Sequence, residues 1–312
     1  MSKREEMDTA EFFLDTSAAD LGAPKPFSSL VRVDFGARSD VGKRRSNNED
    51  AYIVYRTGRY WEKLLTNLAD GDLPDRHDET GYVMAVADGM GGPAAGEIAS
   101  TMSLRTGIHL VLNAVKWSLK LDHPDERTEE IEEGIRRAAE YFNKINQAVI
   151  ERGRKEPNLA GMGTTLTASY SYGDDFFLFH IGDTRAYLFR EGRLQQLTRD
   201  HTVPQGLVDA GLLSPEALPR HHLRHVLTRS LGQASGDVPI DVHQGKLADG
   251  DRLLLCSDGL YDMVDDATIS TILARPLTSQ ETCQALVDQA LQAGGKDNVT
   301  VLLARYTIPI RS

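Results

Sequence analysis

Residues 30–37 alternate, with Val31, Val33 and Phe35 apolar and Arg32 and Asp34 polar. A period of two predicts a strand with one buried face. A second strand is predicted over residues 51–55, directly after Asn48-Glu49-Asp50. Residues 57–80 are polar and carry Trp61, Leu64, Leu65 and Leu68 at helical spacing. That stretch reads as a short helix in a long loop, or as a surface insertion. The run Tyr82-Val83-Met84-Ala85-Val86-Ala87 is apolar throughout and predicts a buried strand. A helix is predicted over residues 93–120, with Pro93 in the first turn, where a missing N–H is harmless. His123-Pro124-Asp125 interrupts, and a second helix is predicted over 128–153. Ile131, Ile135, Ala138, Phe142, Ile145 and Val149 form its apolar stripe.

From Gly163 the period returns to two. Gly173-Asp174 and Glu191-Gly192 mark hairpin turns in a meander through 176–181, 185–190 and 193–197. Residues 202–229 hold short helical pieces. A strand over 252–257, helices over 265–274 and 279–293, and a strand over 299–306 complete the chain. Regular strand–helix alternation is missing, which argues against a parallel doubly wound sheet. The expected class is α+β: a four-layer αββα sandwich of two antiparallel sheets flanked by helix pairs. Residues 1–29 read as a flexible arm. Phe12-Phe13-Leu14 is its one apolar patch, and Pro24 and Pro26 break any helix.

The chain has 312 residues and a formal net charge of −11, from 35 basic and 46 acidic side chains. That balance disfavours broad nucleic-acid binding, which relies on cationic surface. No apolar run is long enough to span a bilayer, and the first twenty residues contain no secretory h-region. Cys256 and Cys283 lack metal-ligand spacing and read as reduced, buried thiols. A cytoplasmic location, with no membrane partner, follows as the expectation.

Of the Asp-Gly pairs, Asp70-Gly71 and Asp249-Gly250 sit among polar residues and read as turns. The other two close apolar runs: Asp88-Gly89 after residues 82–87, and Asp258-Gly259 after Leu253-Leu254-Leu255-Cys256-Ser257. Each reads as a buried strand delivering a carboxylate to its tip, where glycine lets the backbone turn. Hard divalent cations take such oxygen ligands. Asn48-Glu49-Asp50 and Asp297-Asn298 add two acidic clusters beside other strands. Together they point to a magnesium- or manganese-dependent hydrolase.

The order of these motifs resembles the metal-dependent protein serine/threonine phosphatases (the PPM, or type 2C, family), in a bacterial-like form. The motifs are residues 42–50 (Gly-Lys-Arg-Arg-Ser-Asn-Asn-Glu-Asp), Asp88-Gly89-Met90-Gly91-Gly92, Gly163-Thr164-Thr165, Gly182-Asp183-Thr184-Arg185, Ser257-Asp258-Gly259-Leu260-Tyr261-Asp262 and Asp297-Asn298-Val299-Thr300. The resemblance spans residues 35–306 and implies one catalytic domain over 30–308. Its implied reaction is hydrolysis of phosphoserine and phosphothreonine in proteins by water activated at two Mn²⁺ or Mg²⁺ ions. By resemblance, Asp88 bridges both ions; Asp50, Asp258, Asp297 and the Gly89 carbonyl complete the ligands. Glu49 orients the water, and Asp183 and Asp262 match positions that hold a third ion. Arg45, four residues before Glu49, matches an arginine that grips the substrate phosphate, for which a guanidinium fork is suited. Met90 stands where many eukaryotic relatives carry a histidine acid; bacterial members carry Met here too, and a thioether donates no proton.

His221, His222 and His225, with His201 upstream, lie among Arg220, Arg224 and Arg229. His221 and His225 have i, i+4 spacing, but no acidic residue follows at metalloprotease spacing. In the family this region is a variable flap, over about 202–229, and its local positive charge suits phosphorylated substrates. Plain exposed loop residues are the other reading. The partners implied are phosphorylated proteins and an opposing serine/threonine kinase. Two rivals differ in partner or class: a phosphatase of one regulatory protein, and a non-catalytic phosphoprotein-binding regulator on the same fold.

Overall fold

The computed structural model describes residues 26–92, 94–114, 127–232 and 236–310. Most of the arm expected over 1–29, Pro93 and the last residues of the helix predicted over 93–120 lie outside the described residues. In chain order the elements are α1 (Phe27–Leu30), β1 (Arg32–Asp40), β2 (Asp50–Glu62), β3 (Arg76–Met90), α2 (Ala95–Leu112) and α3 (Arg127–Lys155). Next come β4 (Gly163–Thr164), β5 (Leu166–Tyr172), β6 (Asp175–Ile181), β7 (Arg185–Arg190), β8 (Arg193–Gln196) and α4 (Val203–Asp209). β9 (Asp241–Lys246), β10 (Arg252–Cys256), α5 (Asp258–Tyr261), α6 (Asp266–Leu273), α7 (Ser279–Gln292) and β11 (Val299–Thr307) follow.

One sheet has the order β1-β11-β10-β7-β8 and the other β2-β3-β5-β6-β9, with every neighbouring pair antiparallel. The central strands alternate between two buried faces, which is why they read as unbroken apolar runs. Leu253 and Leu255 of β10 and Met84 and Val86 of β3 meet in the layer between the sheets. Leu254 and Cys256 turn outward under α5, α6 and α7. Ala85 and Ala87 turn outward under α2 and α3. Successive side chains on a strand point to opposite faces, so one strand serves two cores. The sandwich of two antiparallel sheets with helices on both outer faces is thus the α+β architecture read from the pattern. α7 is fixed by a reciprocal cap between Thr278 and Glu281, and α6 by Asp265 accepting from the Thr268 N–H.

Two local expectations are corrected, and one strand is added. The helix expected within residues 57–80 does not form: residues 57–62 and 76–80 extend β2 and β3, and residues 63–75 are the largely exposed connection of the one long hairpin they make, in register from Asp50↔Asp88 to Glu62↔Arg76. Ladder bonds and the Arg59–Glu79 pair hold it, while Trp61 (72% exposed) and Leu65 (96% exposed) have no core to cover. Helical spacing without a face to bury it is a coincidence of composition. Next, Phe27 packs on the inter-sheet core and Ser28 is buried, so the last residues of the presumed arm belong to the fold. Finally, β9 escaped the sequence reading because it is an edge strand exposed over much of its length.

Candidate metal centre

The acidic motifs meet at one end of the sandwich, contributed by both sheets. Asp50 opens β2 and stands opposite Asp88 near the end of β3. Asp183 lies in the β6–β7 turn, Asp258 opens α5 directly after β10, and Asp297 precedes β11. Asp88, Asp183, Asp258, Asp262 and Asp297, with Arg45, Glu49 and Gly89, line a cleft of about 780 Å³.

The glycine after each strand-end aspartate is not a turn residue here. Gly89 continues β3 and Gly259 lies inside α5. Their function is close approach: a Cβ on Gly89 would sit 2.0 Å from the Gly96 carbonyl oxygen of α2, and one on Gly259 would sit 1.9 Å from the Asn298 carbonyl oxygen. Those contacts seat α2 against β3, and α5 against the start of β11.

Residues given no role from sequence hold the acids in place. Ser257 Oγ donates to Asp50 Oδ2 (2.7 Å) and accepts from the Thr300 N–H (2.9 Å). Asn298 is buried, accepts from the Glu49 N–H (2.8 Å), and donates to the carbonyls of Val41 and Asn47 (both 2.9 Å). It clamps the segment carrying Arg45 and Glu49 onto β11. Thr165 holds the Asp88 backbone: its N–H donates to the Asp88 carbonyl and its Oγ1 accepts from the Asp88 N–H (each 2.9 Å). The available signal was a hydroxyl or amide standing inside or beside an apolar run.

Arg45 is exposed at the cleft rim and donates through Nη2 to Asp297 Oδ2 (2.7 Å). The segment between Arg45 and Glu49 is not helical, so the two are brought together by the Asn298 clamp rather than a helix turn. From the far side, the 202–229 segment delivers His225, whose Nδ1 lies 3.3 Å from Asp258 Oδ2 and whose Nε2 lies 3.2 Å from Asp262 Oδ2. Arg224 pairs with Asp262 (3.2 Å). Donor atoms of Asp183, His225 and Asp258 lie within 4.8 Å of one another. The i, i+4 histidine pair does not form: His221 stacks on His222, at 4.7 Å between centroids.

Burial and mutual repulsion set the electrostatics. Burial pushes the Asp50 carboxyl up to about 7, against the hydrogen bond from Ser257. Asp88 is held well above the usual carboxylate range, first by burial and then by Asp50, Asp258, Asp183 and Asp297. Asp183 and Asp258 are raised for the same reasons, His225 opposing the rise at Asp258. Burial also raises Glu49, with Arg45 opposing. Contact with Asp258 raises His225, burial opposing. Buried like charges this close are unfavourable unless a cation joins them. Asp50 Oδ1 is buried with no hydrogen-bond partner among the described residues, an orphan acceptor of the kind a cation satisfies. Carboxylates and carbonyls are the donors Mg²⁺ and Mn²⁺ take, so the residues present fit such ions.

Comparison with known proteins agrees with this geometry. The family model described as Protein phosphatase 2C matches residues 72–293. The serine/threonine protein phosphatase PstP of Mycobacterium tuberculosis is 37% identical over 270 residues, which cover 86% of this chain and 44% of that protein. The chain therefore spans less than half of that relative. The serine/threonine phosphatase stp of Listeria innocua is 33% identical over 271 residues, covering 87% of this chain and 95% of the relative. The solved catalytic domain of PstP in complex with two manganese ions superposes with a TM-score of 0.66 at 35% identity, covering 89% of this chain and 99% of that one. Taken with the acids gathered from both sheets, these matches show that the chain belongs to the protein phosphatase 2C family.

Proposed function

We propose that this chain hydrolyses phosphoserine and phosphothreonine in proteins at the cleft where Asp50, Asp88, Asp258 and Asp297 converge. The observation that carries the assignment is that convergence, with Arg45 at the rim and an unsatisfied buried oxygen on Asp50. The enzyme is a metal-dependent serine/threonine phosphatase using Mn²⁺ or Mg²⁺. Asp50, Asp88, Asp258, Asp297 and the Gly89 carbonyl would hold two such ions, and Asp183 and Asp262 a third. When bound, such ions lower the pKa of water and polarise the phosphoryl oxygens.

The chain's own residues do the rest. Glu49 accepts a hydrogen bond from the attacking water and aims it. Ser257 holds the Asp50 carboxylate, which need not reorganise during the reaction, and Thr165 holds the Asp88 backbone. Arg45 presents guanidinium donors to the phosphate oxygens, with Asp297 setting its orientation. Residues 27–308 constitute the catalytic domain, with Phe27 and Ser28 packed into it, and 202–229 are its flap, which brings Arg224 and His225 to the rim. No helix among the described residues is long and apolar enough to cross a membrane. We place the enzyme in the cytoplasm, in signalling, opposing a serine/threonine kinase.

The test is turnover of p-nitrophenyl phosphate and of a phosphoserine, phosphothreonine and phosphotyrosine peptide panel, with and without Mn²⁺. Wild type should turn over the first two peptide classes only with metal. Asp88→Asn and Asp258→Asn should be inactive while folded; wild-type rates in either would remove these residues from the metal site.

A further inference from the structure

The β6–β7 turn that carries Asp183 is gripped by a residue the proposed reaction does not use. His201 is buried and lies between β8 and α4. Its backbone N–H donates to the Gly182 carbonyl (2.7 Å), and its Nδ1 accepts from the Gly182 N–H (3.1 Å). One residue thus pairs both backbone groups of the buried Gly182. A backbone N–H can only donate, so Nδ1 is the acceptor and the ring proton sits on Nε2. Nε2 donates to Asp241 Oδ2 in β9 (3.1 Å). Arg229 Nη1, 3.4 Å from Nε2, donates to the other oxygen of that carboxylate (3.1 Å). Burial holds the ring below the usual histidine range, Asp241 opposing, which keeps Nδ1 an acceptor. The His201 carbonyl accepts from the Thr228 N–H (2.8 Å), so the end of the flap is fixed to the same residue. On the far side of the turn, the Tyr261 hydroxyl donates to the Asp183 carbonyl (2.8 Å).

We propose that His201 is a positioning residue for the Asp183 carboxylate, acting through the hydrogen bond from the Gly182 N–H to Nδ1. This role rests on the reading of Asp183 as a ligand of the third ion. The Gly182 backbone leads directly into Asp183, so its placement sets where the carboxylate can reach. Partners that orient a ligand in this way govern metal affinity nearly as strongly as the ligands do. Without Nδ1 the buried Gly182 N–H loses its acceptor, and a stranded buried donor is costly. His180 packs against His201 with 4.8 Å between ring centroids, but it offers no replacement. Its Nε2 donates to the Arg199 carbonyl (3.1 Å) and its Nδ1 pairs with Thr167 Oγ1 (2.8 Å).

Asparagine places an oxygen where Nδ1 stands, and glutamine places an amide N–H where Nε2 stands, so each variant keeps one arm of the ring. Both are measured on the full chain, first in EDTA and then titrated with Mn²⁺. By amide exchange NMR, Gly182 should stay protected in wild type and in His201→Asn. In His201→Gln it should exchange about tenfold faster, the worth of one hydrogen bond. The Mn²⁺ binding step that Asp183→Asn removes should be about tenfold weaker in His201→Gln and close to wild type in His201→Asn. Neither readout needs turnover, so an inactive wild type would count against the proposed reaction and not against this role. Equal weakening of that step in both variants, wild-type Mn²⁺ affinity in His201→Gln, or weakening confined to steps that Asp183→Asn leaves intact would each overturn the role. Thermal unfolding checks that the variants fold; should His201→Gln not fold, loss of Gly182 protection in folded His201→Asn would by itself overturn it.

Discussion

Asp50 offers a direct measure of how far the fold compresses its acids. In the metal-free chain its carboxyl stands at about 7, with burial the largest cause. An unfolded chain returns it to about 3.9. The sign follows from proton linkage. A carboxyl raised in the folded state favours folding fully below the unfolded value, and that contribution is lost as pH rises from about 4 through about 7. A gap of about 3 in pKa is worth about 4 kcal/mol, at ~1.4 kcal/mol per unit. For a chain of ~300 residues the unfolding entropy is about 0.6 kcal/mol/K, so the loss corresponds to about 7 °C in Tm.

Asp50→Asn carries no carboxyl to titrate and retains a group able to accept from Ser257. In EDTA, wild-type Tm should fall between pH 5 and pH 8 by several degrees more than that of Asp50→Asn. Saturating Mn²⁺ should then return most of the loss to wild type at pH 8, since 100-fold excess over Kd stabilises by about 2.7 kcal/mol. Calorimetry at pH 5, 6, 7 and 8, with EDTA or Mn²⁺, reads all of these values. A Tm difference between the two proteins that stays flat across that range in EDTA would refute the compression argument.

Asn298→Ala should destabilise the fold by about 3 kcal/mol in urea unfolding, because it strands the Glu49 N–H and two carbonyls in a buried site. Gly259→Ala forces a methyl onto the Asn298 carbonyl, and the resulting shift of Asp258 should lower kcat about 100-fold. Arg45→Ala should raise KM for phosphopeptides by about 10- to 100-fold, as loss of a charge-assisted contact does, with kcat less affected. An unchanged KM would place the phosphate elsewhere.

The layers were legible because central strands buried on both faces cannot hide their composition. Residues 82–87 and 253–257 read as strands from apolarity alone, and each ends where the structure places an acid. What pattern could not show was anything that depends on contact between distant segments. Ser257 and Asn298 look like polar interruptions until Asp50 and Glu49, more than 200 residues away, are brought against them. β9 and the outer half of the β2–β3 hairpin bury too little to leave a period. His225 was grouped with its sequence neighbours, whereas the fold sends it to Asp258 and Asp262 and leaves His221 and His222 stacked together.

The Asp-Gly pairs show how the right residues can be found for a mistaken local reason. Glycine was read as permitting a turn, yet neither Gly89 nor Gly259 has the positive φ that reserves a position for glycine. What each needs is the missing Cβ, because a neighbouring backbone passes through the space it would fill. Beside Gly89 that neighbour is the first turn of α2, where a Cβ on Gly96 would in turn lie 2.8 Å from the Glu49 carboxylate. Beside Gly259 it is Asn298, the clamp on Glu49. The aspartate and its glycine therefore act as one unit: the glycine lets two backbones close to van der Waals distance, and at Gly259 that closeness sets how near Asp258 and Asp297, both carried by the first sheet, can stand. Lengthening the spacing by one methyl at either glycine should therefore weaken metal affinity before it unfolds the protein, a separation that Mn²⁺ titration calorimetry and urea unfolding can measure side by side.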